Sequence, residues 1–229
     1  MLFDTRPKVR RVDLFDFEGG EFGRLSGFVG DSLTRLIVVR GGLRRTGKTS
    51  LILTTLNELG VPYVFVDVRE VIRSRRGGLY EVLSRALSEF LRRYSPYRAL
   101  LSSFIRVLSG VRGGVRVHGF EVSLNWGGRD RPLLTELFRE FDEASASAGV
   151  RLVIVIDEAQ RLGGSLGFEV WSAVAHAYDF LGNTKFIISG SEMGVLNSIF
   201  SNPESPPLFG RLMRGCYREV DPRGVPGVS

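Results

Sequence analysis

The sequence predicts a three-layer α/β fold, with a parallel sheet between helices. Three observations carry that prediction. Short apolar runs recur at Leu36-Ile37-Val38-Val39, Val61–Val68 and Leu152–Ile156, as expected of strands covered on both faces. Stretches with apolar residues at helical spacing lie between them, and strands alternating with helices pair in parallel through crossovers. A glycine-rich turn joins the first run directly to the first helical stretch.

Taken in order, residues up to about Asp31 are rich in turn formers and charge, so 1–31 is expected as an N-terminal segment packing on a core of 32–229. Leu36–Val39 is the first strand. Thr49–Leu59 follows as a helix that Gly60 stops. Val61–Val68 is the second strand, and Leu83, Leu87, Phe90 and Leu91 mark a helix over Leu79–Arg93, with another around Leu100–Leu108. Residues 114–125, GVRVHGFEVSLN, alternate apolar and polar side chains about His118-Gly119, which predicts a small inserted β-hairpin. Pro132–Ser147 is helical by period, Leu152–Ile156 is the third strand, and Phe168–Leu181 is a helix. Lys185–Ser189 is the fourth strand. Tyr217–Val220 is the fifth, reached through a loop containing Asn202-Pro203 and Pro206-Pro207.

Composition narrows the setting. No apolar run approaches the roughly 20 residues of a membrane-spanning helix, and MLFDTRPKVRR lacks the apolar stretch of a secretory signal. The expected location is the cytoplasm, with no membrane partner. Cys216 is the single cysteine, which excludes an internal disulfide or a cysteine-based zinc site. His118 and His176 form no paired motif and read as structural. The net charge of +6 is nearly all arginine, since only Lys8, Lys48 and Lys185 are lysines. Arginine spread along the chain reads as a solvated, salt-bridged surface. The clusters Arg73, Arg75, Arg76 and Arg92, Arg93 are the candidates for a polyanion surface.

The chemistry concentrates in two motifs. Gly42-Leu43-Arg44-Arg45-Thr46-Gly47-Lys48-Thr49 has the pattern in which backbone amides wrap a phosphate, a lysine reaches the terminal phosphates and a hydroxyl ligates magnesium. Its place between a buried strand and a helix N-terminus, extending through Ser50, is the context that the pattern requires. Leu152–Ile156 then runs into Asp157-Glu158. An acid ending such a strand lies where a metal-bound nucleotide would be, so Asp157 is the expected magnesium ligand, and Glu158 is placed to orient or deprotonate an attacking water.

With these motifs in hand, the chain resembles the archaeal ATPase family of P-loop proteins, within the AAA+ and signal-transducing NTPase group related to the origin-recognition initiators. The resemblance runs through FDTRPKVRRVDLF, GLRRTGKTSL, IVIDEAQRL, YDFLGNTKFIISGSEMGVL and PPLFGRLMR. It implies an ATPase core of five parallel strands in the order 5-1-4-3-2, with ATP and Mg2+ as cofactors. Lys48, Thr49, Asp157 and Glu158 match the family's motifs. A polar residue ending the fourth strand would sense the γ-phosphate, and Ser189 and Ser191 compete for that place, Ser191 being preferred. Arg211, before the fifth strand, falls where the family carries an arginine finger that completes a neighbouring subunit's site in a homo-oligomer; pairing with an acid of its own subunit is the alternative.

Phe17-Glu18-Gly19-Gly20-Glu21 departs from the family's usual spaced glutamates, so adenine contacts do not transfer. Family members also continue past the fifth strand into a helical lid and often a winged-helix domain, whereas this sequence ends at Ser229. Slow turnover is expected without that lid. The leading function is Mg-dependent ATP hydrolysis coupled to conformational change. A nucleotide-dependent switch that engages DNA or a protein partner is the alternative, and a small-molecule kinase is the weaker third.

Overall fold

The computed structural model describes residues 6–14, 20–40, 47–71, 76–111, 114–125, 133–191, 208 and 217–220, the side chains of 76 and 217–220 excepted. Its strands are β1 (Leu36–Arg40), β2 (Tyr63–Asp67), β3 (Val115–His118), β4 (Glu121–Leu124), β5 (Leu152–Asp157), β6 (Thr184–Gly190) and β7 (Tyr217–Val220). Its α-helices are α1 (Glu21–Gly30), α2 (Lys48–Glu58), α3 (Arg76–Arg93), α4 (Arg98–Gly110), α5 (Leu134–Ser147) and α6 (Gly164–Phe180).

The main sheet has the order β2-β5-β6-β1-β7, and every neighbouring pair in it is parallel. Alternate strand residues divide between two cores, which gives the three layers. Ile37, Val39, Tyr63, Val153, Val155 and Ile187 meet Leu25 and Val29 of α1 and Leu51, Ile52 and Leu56 of α2. Leu36, Val38, Val64, Val66, Ile154, Ile156 and Ile188 face the opposite way, onto α3, α4, α5 and α6. A strand covered on both sides has no solvent face to mark with polar residues, which is why β1 and β5 read as unbroken apolar runs.

The hairpin predicted over 114–125 forms as β3 and β4, antiparallel, with Gly119 at φ +60° in its turn. Val122 and Leu124 enter the core. Two serines one turn apart on α3 bind the β4 backbone: Leu124 N–H donates to Ser84 Oγ at 2.9 Å and Val122 N–H to Ser88 Oγ at 2.8 Å. The edge of this small sheet is thereby paired, as an edge strand requires.

Two helices differ from the sequence reading. Helix α1 forms within a stretch expected to be turn-rich, although Gly23, Gly27 and Gly30 each cost about 1 kcal/mol relative to alanine. Burial of Glu21, Leu25 and Val29, spaced by four, overrides that cost. Helix α6 starts at Gly164 rather than Phe168, because Gly167 packs against the preceding loop. A β-carbon there would lie 2.5 Å from the Leu162 carbonyl oxygen, so a residue that looks like a breaker is the one that fits.

The N-terminal segment is pinned along one face of α2. Lys8 N–H donates to Ser50 Oγ at 3.0 Å, Thr54 Oγ1 to the Lys8 carbonyl at 3.2 Å, Asn57 Nδ2 to the Val9 carbonyl at 3.1 Å and Arg11 N–H to Glu58 Oε1 at 3.0 Å. Positions 50, 54, 57 and 58 share a helical face. No helix among the described residues is long and apolar enough to cross a membrane.

Lys185 ties α1 to the sheet. Its ammonium, buried on β6, donates to the carbonyls of Phe28 at 3.0 Å, Val29 at 2.6 Å and Asp31, capping the carbonyl end of the helix. Burial, with Arg151 nearby, lowers its pKa from 10.5 to about 8. Between about 8 and 10.5 the unfolded chain holds the extra proton, so this group makes stability rise with pH across that window. Lys185→Met is expected to cost about 1–3 kcal/mol by leaving those carbonyls without a donor. Urea unfolding at pH 7 and pH 10 should show a gain in the wild type that the variant lacks. Equal pH dependence in both would overturn the assignment.

Candidate functional site

The site lies at the C-terminal ends of the central strands, where an open parallel sheet exposes a crevice. Helix α2 presents its N-terminus there. Gly47 precedes it at φ +84°, a left-handed conformation that glycine adopts without strain. The N-cap of α2 is Gly47, which has no side chain to cap with, and no acid occupies its first turn, so the positive end of the helix dipole favours an anion there. Lys48 opens the helix and is buried, 4% exposed. Gly42, Leu43, Arg44, Arg45 and Thr46, the remainder of the cradle, lie outside the described residues, as does Arg211.

Opposite α2, β5 carries Asp157 at its end, fully buried. Both carboxylate oxygens are taken: Thr49 Oγ1 donates to Oδ2 at 2.8 Å, and Ser189 Oγ donates to Oδ1. Burial raises the Asp157 pKa above its ordinary value, and the two hydroxyl donors oppose that shift. The negative charges of Asp67 and Glu158 push in the same direction as burial.

Glu158 is the one non-glycine residue at positive φ among the described residues, at φ 58°, ψ 43°. This left-handed backbone costs on the order of 1 kcal/mol and turns the chain sharply from β5 into the 3-10 turn Ala159–Arg161. Oε2 of Glu158 accepts from Gln160 Nε2 at 2.5 Å and from Ser191 Oγ at 3.3 Å, and Gln160 Nε2 also reaches Ser191 Oγ at 3.0 Å. The two serines that compete from sequence therefore take different partners. Ser189 holds the buried aspartate, and Ser191, just past β6, stands against the glutamate.

Lys48, Thr49, Asp157, Glu158, Ser189 and Ser191 thus converge from α2, β5 and the end of β6. Ser50 points elsewhere: its hydroxyl accepts from the Lys8 N–H of the N-terminal segment.

Three residues join the site without having been read from the sequence. Gln160 is one. Asp67 is another, ending β2 in register with Asp157, and Arg69 grips it through Nε at 2.9 Å and Nη2 at 2.6 Å. Arg69 has its pKa raised, chiefly by Asp67, with Asp157 and Glu158 adding to the effect. The signal for Asp67 was available: it closes an apolar strand as Asp157 does. Of the basic clusters, Arg92 meets Glu121 at 3.4 Å and Arg93 lies over the Tyr63 ring at 4.4 Å. Arg73 and Arg75, and the side chain of Arg76, fall outside the described residues.

The donor set fits magnesium. Adjacent ligands of an octahedral Mg2+ lie about 2.9 Å apart, close to the 2.8 Å between Thr49 Oγ1 and Asp157 Oδ2, and both are hard oxygens. Among the described residues no group of three His, Cys, Asp or Glu could hold a metal. The ion would therefore depend on this pair, on water and on nucleotide phosphates.

A family model described as "AAA domain" matches residues 32–197. Among solved structures, the chain is similar to a Walker-type ATPase of Pyrococcus abyssi, with 30% identity and a TM-score of 0.67 over 96% of this chain and 57% of that one. It is similar in fold to Cdc6p of Pyrobaculum aerophilum, with 13% identity and a TM-score of 0.50 over 96% and 48%. The Orc1 protein of Aeropyrum pernix, solved in complex with DNA, gives 16% and 0.50 over 91% and 46%. The chain thus spans about half the length of each. None of the curated proteins matches it.

The raised Asp157 pKa makes a stability prediction. A carboxyl whose folded pKa lies above its unfolded value favours folding below the unfolded pKa, and that contribution is lost as pH rises through the folded one. At neutral pH the ionised group works against the nucleotide-free fold. Asp157→Asn, measured with magnesium chelated, is expected to raise Tm by roughly 3 °C or more at pH 7 and by less near pH 4. A lowered Tm at pH 7 would show that the carboxylate stabilises the fold.

Proposed function

The chain belongs to the AAA domain family of P-loop ATPases, and from that premise we propose that it binds ATP with magnesium and hydrolyses it, coupling turnover to a change of conformation. One observation carries this reading: the Thr49 hydroxyl on α2 and the Asp157 carboxylate on β5, 108 residues apart, meet at 2.8 Å beside the N-terminus of α2.

Each residue has a distinct task. The α2 amides and Lys48 would bind the β- and γ-phosphates, and the low-dielectric surroundings of Lys48 strengthen its hold on developing charge. Thr49 and Asp157 would hold magnesium, which when bound neutralises phosphate charge. Glu158 would take the proton of the attacking water. Ser191, in contact with Glu158, would report the γ-phosphate to that base. Arg211 would act on a neighbouring subunit, where a guanidinium stabilises charge on the transferred phosphoryl group.

A second reading, a nucleotide-dependent switch that engages DNA or a protein with little turnover, draws on the net charge of +6. Duplex DNA retention that weakens steeply with salt would support it.

The principal test is steady-state phosphate release. Glu158→Gln is expected to lower turnover by about 10²–10⁴-fold while ATP binding persists; equal turnover of variant and wild type would remove Glu158 as the base. Turnover per subunit that rises with protein concentration, and does not in Arg211→Ala, supports the finger in trans. A flat profile counts against it.

A further inference from the structure

At the other end of the sheet, where β2 and β5 begin, lies a cleft of about 300 Å³. Pro62 before β2, Ala148 and Val150 before β5, Tyr94 and Tyr97 between α3 and α4, and Arg98 opening α4 line it. Its size falls at the lower end of small-ligand pockets. One wall is fixed by hydrogen bonds: Tyr94 Oη donates to the Val61 carbonyl and accepts from the Tyr63 N–H, each at 3.3 Å. The hydroxyl's only proton is thereby committed to the protein. Tyr97 is 63% exposed, so an occupant that covers its ring gains by burial.

Arg98 is the one charged residue among those lining the cleft, and it makes no hydrogen bond or ion pair among the described residues. The first turn of α4 carries no acid and its N-cap Tyr97 makes no capping bond, so the helix dipole adds positive potential where Arg98 stands. Arg92 and Arg93, which could extend this into a polyanion surface, are engaged by Glu121 and the Tyr63 ring. One unmatched cation beside mostly apolar walls selects one negative charge on an apolar body. We propose that this cleft binds a small organic carboxylate, its charge paired with Arg98 and its aromatic or branched body held between the tyrosines, Pro62 and Val150. A guanidinium fork matches a carboxylate through two parallel hydrogen bonds. A bare inorganic anion would leave the apolar walls wet, and an uncharged body would leave Arg98 unmatched.

The probe is 3-phenylpropionate, titrated into the full chain by calorimetry, with 3-phenylpropanamide and sulfate as comparisons. Saturable binding of the acid is expected with a Kd below about 1 mM, the amide binding about tenfold more weakly and sulfate failing to displace the acid. Arg98→Gln is expected to weaken the acid about tenfold and leave the amide unchanged. Ala148→Leu, which fills the cleft, is expected to weaken both. The affinity for a non-hydrolysable ATP analogue should stay within twofold of the wild type in each variant. Arg98 is exposed, so its variant decides the outcome even where Ala148→Leu lowers the melting midpoint. No saturable binding of the acid by the wild type up to about 10 mM overturns the proposal. So does equal affinity for acid and amide, or an Arg98→Gln variant that binds the acid as the wild type does. Displacement of the acid by an equal concentration of sulfate overturns it too, by making the cleft a plain anion site.

Discussion

A carboxylate that solvent does not reach ends the inner strand β5, and it can remain there because hydroxyls from two other elements supply its hydrogen bonds. Asp157 accepts from Thr49 on α2 and from Ser189 on β6. Remove either donor and the full desolvation penalty of a buried acceptor falls on the fold. The interaction therefore fixes three things together: the height of α2 against the sheet, the register of β5 beside β6, and the place where a divalent cation would meet the protein. Burial nonetheless raises the Asp157 pKa, so the nucleotide-free protein holds a charge that its surroundings oppose. A cation and a polyphosphate would relieve that opposition, which links ligand binding to stability by mass action.

The residue that follows carries the other cost. Glu158 in the left-handed region turns its side chain away from the line of β5, toward Gln160 and Ser191. Strain of this kind persists where surrounding structure over-determines it. Here β5 is buried along its whole length on one side of Glu158, and Ala159, buried in the main core, anchors the chain on the other. Two adjacent acids in sequence thus acquire separate environments, one fully buried and the other partly exposed.

The periphery is organised around the same centre. Ser50, Thr54, Asn57 and Glu58 fasten the N-terminal segment to the outer face of α2, and Lys185 fastens α1 to β6 by capping its carbonyl end. The N-terminal segment is held by part-buried and exposed polar groups, whereas α1 also buries Leu25 and Val29 in the core.

What the sequence by itself determined was whatever depends on local pattern. Unbroken apolar runs marked β1 and β5 because both sheet faces are covered, and the glycine-rich turn before Lys48-Thr49 marked the helix N-terminus because an anion site needs free amides. The acids after Leu152–Ile156 marked the strand end. Tertiary structure decided what depends on contacts between distant residues. Helix α1 was hidden by its glycines and appears because Leu25 and Val29 bury against the sheet. Residues two apart on a strand share a face, so Ser189 and Ser191 point to different acids because β6 ends at Gly190 and Ser191 has already left it. Asp67, Arg69 and Gln160 entered the site through register and turn geometry, since a single side chain's pairing is set by what the fold places opposite it and not by its neighbours in the chain.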